Sequence, residues 1–104
     1  QFKHIKKMTK AEVVNEISLM TGVERNTTLT VIEAFMQVVK DSLIDKGENV
    51  YMRGFGSFIR KHRATKTARN ISQGTTVVIG EHDIPSFKPA KEFVEAVSEK
   101  TMKK

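Results

Sequence analysis

The chain has 104 residues, room for one domain with a modest core, and no Cys, so neither a disulfide framework nor a thiolate metal site is open to it. No apolar run approaches the roughly 18 residues of a membrane span, and the opening QFKHIKKMTK lacks the apolar centre of a signal peptide. The net charge is +6, and its placement says more than its size: Asn49 to Gly80 holds six cations and no Asp or Glu, while the rest of the chain carries twelve charges of each sign. Such segregation is the footprint of a polyanion binder. The plainer alternative is a solvated basic surface, and 32 residues without an acid argue against it.

Met8 can serve as an initiator, so residues 1–7 are expected to be an extension, natural or added, ahead of a domain spanning 8–104. Thr9-Lys10-Ala11-Glu12 has the capping-box pattern, and Val13, Val14, Ile17 and Met20 follow at helical spacing. A first short helix is therefore expected, stopped at Gly22. A second is predicted from about Arg25 to Lys46, stopped by Gly47. Its apolar residues cover well over half the helix circumference, where a surface helix needs one stripe. This girth implies burial on two sides, hence a dimer with Phe35 and Val39 in or near the shared core.

Glu48–Arg53 alternates and reads as a strand, and Gly54-Phe55-Gly56 reads as a bend. Phe58 and Ile59 open a second strand, with Phe55 and Phe58 expected in the dimer core, and the β-branched run Thr75–Ile79 reads as the third. Between the last two lies RKHRATKTARNISQG, which is basic and nearly free of large apolar side chains, with Asn70 and Gly74 as turn residues near its tip. At about 3.3 Å per residue, Arg60 to Asn70 reaches some 30 Å. A hairpin of that length, spanning about 60–80, suits a partner rather than the chain's own core. Lys61 and Arg63 alternate, so both face one side of the ribbon, and such a ribbon fits a nucleic-acid groove. Lys88-Pro89 is expected to open a final helix, with Phe93, Val94 and Val97 on its buried side.

Two capped helices, then GFGSF at 54–58, a basic arm ending in ARNISQG at 68–74, and IPSFKPAKEF at 84–93 make up a specific series of separated motifs. In these the chain resembles the bacterial HU/IHF family of histone-like DNA-bending proteins over residues 8–100. The resemblance implies an α+β fold: two N-terminal helices, a three-stranded antiparallel sheet with a long β-hairpin arm, a C-terminal helix, and an intertwined dimer. It implies an architectural protein that bends duplex DNA through the minor groove with little sequence specificity, the family's mode and one of the recognised forms of minor-groove binding. Arg60, Lys61, Arg63, Lys66, Arg69 and Asn70 are then expected DNA contacts along the arm. Lys88 and Lys91 flank the DNA path, and Lys10 touches flanking DNA. The tip departs from the family, whose usual Arg-Asn-Pro is here Arg69-Asn70-Ile71. Ile71 is expected to take the role of the wedge between base pairs, without the rigid ring and with a backbone N–H that Pro lacks.

The expected partners are double-stranded DNA, favouring bent, nicked or junction forms, and a second subunit, either a copy of this chain or a paralogue. The resemblance places the protein in the cytoplasm on the nucleoid, with no membrane partner. A site-selective, IHF-like bending subunit is the alternative. A winged helix is disfavoured, because the second helix offers Glu33, Asp41 and Asp45 where a recognition helix needs cations or amides. An RNA module is disfavoured by the lack of an aromatic-rich strand. No enzyme is expected: His4, His62 and His82 are scattered without metal spacing, and no phosphate-binding Gly loop is present. Neither a cofactor nor a metal is called for.

Overall fold

The computed structural model describes the backbone of residues 7–70 and 74–102. They divide between two compact units that part after Val38. In the first, α1 (Lys10–Thr21) starts as its sequence dictates. The Glu12 amide donates to Thr9 Oγ1 at 3.3 Å, and the Thr9 amide donates to Glu12 Oε1 at 2.9 Å. Two otherwise orphaned donors are satisfied by this box. The helix ends at Gly22 in the left-handed conformation. Ser18 Oγ donates to the Val23 carbonyl at 2.7 Å and fixes the corner into α2 (Arg25–Asp41), which runs on into the second unit. Val14 and Thr28 are buried here, and the Thr28 hydroxyl donates to the Glu24 carbonyl at 3.0 Å, so its burial leaves no polar atom unpaired. Val31, Phe35, Met36 and Val38 remain exposed.

In the second unit α2 widens into one π-helical turn, Ser42–Lys46, and stops at Gly47 with φ 66°. The predicted extent of this helix thus holds, with a looser final turn that buries Leu43. Five strands follow: β1 (Val50–Met52), β2 (Gly56–Arg63), β3 (Lys66–Asn70), β4 (Thr75–Ile79) and β5 (His82–Pro89), then α3 (Lys91–Met102). β1, β2 and β5 form a three-stranded antiparallel sheet in that order, while β3 and β4 form a two-stranded ribbon.

Two expectations need correcting. Thr75–Ile79 is a strand, but it belongs to the ribbon; the sheet's third strand is β5, which takes in His82–Pro89. Pro89 therefore ends a strand and does not open the last helix, which begins at Lys91. The physical reason lies in the position of β5. It pairs with β2 alone, and an edge strand has a free side that tolerates Pro85 and Pro89.

The turn at 54–56 brings four phenylalanines together. The rings of Phe55 and Phe93 stack with centroids 5.5 Å apart, Phe55 and Phe87 lie at 5.0 Å, and Phe58 and Phe87 at 5.1 Å. The Ala90 amide donates to the Phe55 carbonyl at 2.9 Å and ties the start of α3 to this turn. Phe55 nonetheless stays exposed and Phe58 half-buried.

Candidate nucleic-acid interface

The two sheets are one hairpin. Arg63 pairs with His82, and three residues further out Lys66 pairs with Ile79, three residues back on the other strand. The register is therefore unbroken across the gap at 64–65 and 80–81, and the paired hairpin runs from Gly56 opposite Pro89 to Asn70 opposite Thr75. His82 Nδ1 donates to the Gly80 carbonyl at 2.9 Å and steadies the gap on its β5 side.

Alternation along paired strands sorts the side chains of the inner half into two faces. One face carries Lys61 and Arg63 of β2, with Lys88 of β5 standing opposite Ser57. All three cations are exposed. The other face carries Phe58, Arg60 and His62, opposite Phe87, Pro85 and Asp83. The structure thus separates Arg60 from its sequence neighbours and places it on the aromatic side. Its Nε donates to Asp83 Oδ2 at 3.0 Å and its Nη1 to the Leu43 carbonyl at 3.1 Å. His62 Nδ1 donates to the second Asp83 oxygen at 2.8 Å. That hydrogen bond, with the Arg60 charge beside it, holds the Asp83 carboxyl below the ordinary aspartate range against an opposing desolvation effect.

In the outer ribbon Lys66 is exposed opposite Ile79, and Arg69 and Asn70 occupy the last two rungs, opposite Thr76 and Thr75. Ile71 lies outside the described residues, and so does the wedge assigned to it. Val77, Val78 and Ile79 are exposed, so β4 adds an apolar, uncharged strand beside the basic one. Lys91 is the exposed first residue of α3. Lys10, in the first unit, heads α1 and donates to Glu33 Oε2 at 2.6 Å, an ion pair half open to solvent on both sides. Of the expected shared-core residues, Phe35 and Phe55 are exposed and Val39 and Phe58 half-buried.

The residues that sequence reasoning passed over are Asp83 and Asn49. Asn49 Oδ1 accepts from the Arg60 amide at 3.2 Å, beyond the last rung that β1 supplies. Asp83 becomes visible only once β5 is recognised, because it then falls directly across from His62. Among the described residues no cluster of three His, Asp or Glu side chains could hold a metal ion, and no helix is long and apolar enough to cross a membrane.

The profile of the bacterial DNA-binding protein family matches residues 8–98. The chain is 38% identical over 98 residues to integration host factor subunit beta of Marinobacter nauticus, covering 93% of this chain and 98% of that protein. It is 33% identical over 88 residues to DNA-binding protein HU of Lactococcus lactis, covering 85% of this chain and 96% of the other. The protein chain of an Anabaena HU–DNA cocrystal structure shares its fold with a TM-score of 0.81 at 26% identity, over 88% of this chain and 98% of that one.

Proposed function

This chain belongs to the bacterial DNA-binding protein family of HU and integration host factor, and we propose that within it the chain acts as a non-catalytic architectural protein that binds and bends duplex DNA on the nucleoid. The observation that carries this reading is the face of Lys61, Arg63 and Lys88 on a long hairpin, a face that alternation leaves without an acid, next to a stretch from Asn49 to Gly80 that has none. Cations held along one face of a paired ribbon neutralise phosphates, and each neutralised phosphate releases condensed counterions. No base-reading helix is needed, and phosphate contacts carry no sequence information directly, so the reading is of general binding. The ribbon enters the minor groove, with Lys66, Arg69 and Asn70 following the arm outward and Ile71 wedging at the tip. Lys91, and Lys10 after release from Glu33, take flanking phosphates. The Anabaena HU chain of the same fold was crystallised with DNA, which supports the same partner here. The protein works as a dimer, so that two arms act on one duplex.

The test is a binding titration on labelled linear and nicked duplexes of several sequences, with energy transfer between the duplex ends at saturation. Log K is expected to fall against log salt with a slope of roughly −5 to −7, the value for about five to eight neutralised phosphates. Affinity should be similar across sequences and greater for the nicked duplex, and the ends should draw together. Strong preference for one sequence would favour the site-selective reading; no change in end-to-end distance would remove bending from the function.

A further inference from the structure

The face of the arm's root that turns away from Lys61, Arg63 and Lys88 is not idle. Arg60 is fastened there at three points: its amide to Asn49 Oδ1, its Nε to Asp83 Oδ2, and its Nη1 to the Leu43 carbonyl. Leu43 lies within the final four residues of the helical run, whose carbonyls have no intrahelical partner. The guanidinium supplies one donor to that helix end and another to β5, so a single planar group joins three elements: the π turn, β2 and β5. His62 holds the remaining Asp83 oxygen and keeps the carboxylate turned toward Arg60.

We propose that Arg60 is a positioning residue and not a phosphate contact: with Asp83 it braces the root of the arm against the Ser42–Lys46 turn and sets the direction in which the arm leaves the sheet. The proposal rests on the reading of this hairpin as the DNA-embracing arm. Three observations carry it. Alternation puts Arg60 on the face opposite the cationic row. Two of its guanidinium nitrogens, Nε and Nη1, are engaged by acceptors of the protein itself. The arm is also a long lever: a tilt of about 10° at the root shifts a tip about 30 Å away by about 5 Å, the width of a strand spacing. Since the Arg60–Asp83 pair is partly exposed, its direct effect on stability is small. Its effect is on geometry. A lysine cannot substitute, because a point charge with one nitrogen does not reach two acceptors in fixed directions as the planar fork does.

The experiment compares wild type, Arg60→Lys, Arg60→Gln, Asp83→Asn, the double variant Arg60→Lys with Asp83→Asn, and Lys61→Gln in salt titrations and in end-to-end energy transfer on one duplex, after thermal melts establish which variants are folded. Lys61→Gln, which removes a contact in each of two subunits, should flatten the salt slope by up to about 2. Arg60→Lys and Asp83→Asn should leave the slope within error of wild type and reduce the bend by similar amounts, with no further loss when combined. Arg60→Gln, if folded, should behave as they do. The proposal is overturned if Arg60→Gln flattens the slope as Lys61→Gln does, if Arg60→Lys bends DNA like wild type, or if Asp83→Asn tightens binding without loss of bend, as a released phosphate ligand would. A wild type that fails to bend DNA at all would instead remove the function on which the proposal rests.

Discussion

At Gly56 the chain comes so close to β5 that a Cβ would stand 2.5 Å from the Lys88 carbonyl oxygen and 2.7 Å from the Phe87 ring, and φ there is 154°. The ring can turn, but the carbonyl is backbone and part of the rung that carries Lys88. Gly56→Ala should therefore cost about 1–3 kcal/mol in backbone strain, with more from any displacement of β5. A lowered urea midpoint at fixed protein concentration is the expected result, and an unchanged midpoint would show that β5 yields without cost. Asp83 allows a prediction in pH. Its folded-state pKa is lowered, so the native state favours the charged form, and this contribution is present above the unfolded value and lost as pH falls through the folded one. Wild type should melt above Asp83→Asn at pH 6, and the gap should close as pH drops below about 3.9, the ordinary aspartate value. A gap that is constant from pH 6 to pH 2.5 would show that the carboxylate's charge contributes nothing to the pair.

Among the elements, legibility in sequence follows how local the deciding interactions are. α1 is readable because a capping box closes within four residues, and Thr9 and Glu12 make both of its bonds in the structure. The helix stops at Gly22 and Gly47 are readable because a left-handed residue there is a local need. β5 is hidden for the opposite reason. HDIPSFKP carries two prolines and no run of β-branched residues, and it becomes a strand because β2 lies beside it. The consequence reaches the candidate site. Charge along the arm is visible in the sequence, so Lys61 and Arg63 stand out on one face from alternation alone. The role of Arg60 depends on Asp83, 23 residues away, and on a carbonyl in the π turn. No count of cations separates Arg60 from Lys61; alternation sets them on opposite faces, and only the register brings Asp83 to Arg60.

At the scale of the whole molecule, each unit by itself leaves its apolar side chains open. Among the described residues Val14 and Leu43 are the only apolar side chains that count as buried. In the first unit Val31, Phe35, Met36 and Val38 are exposed; in the second, Ile44, Phe55, Phe93, Val94 and Val97 are. A patch of scattered apolar atoms is ordinary on a protein surface, but large apolar side chains exposed in both units, alongside so few buried ones, are not. The aromatic group around Phe55 makes the same point: its rings touch one another, yet Phe55 remains about half exposed at 47%. A second subunit covers such surfaces, and obligate homodimers bury roughly 2,000 Å² or more in doing so. Folding and association should then be a single transition. The melting temperature is expected to rise with protein concentration, since subunit binding stabilises by mass action, and sedimentation at micromolar concentration should give one species of twice the chain mass. Phe35→Ala should lower the melting temperature and steepen the loss on dilution. A folded monomer persisting at high concentration, with a melting temperature indifferent to dilution, would mean that these side chains have no partner subunit, and the pair of arms needed to bend one duplex would be lost with it.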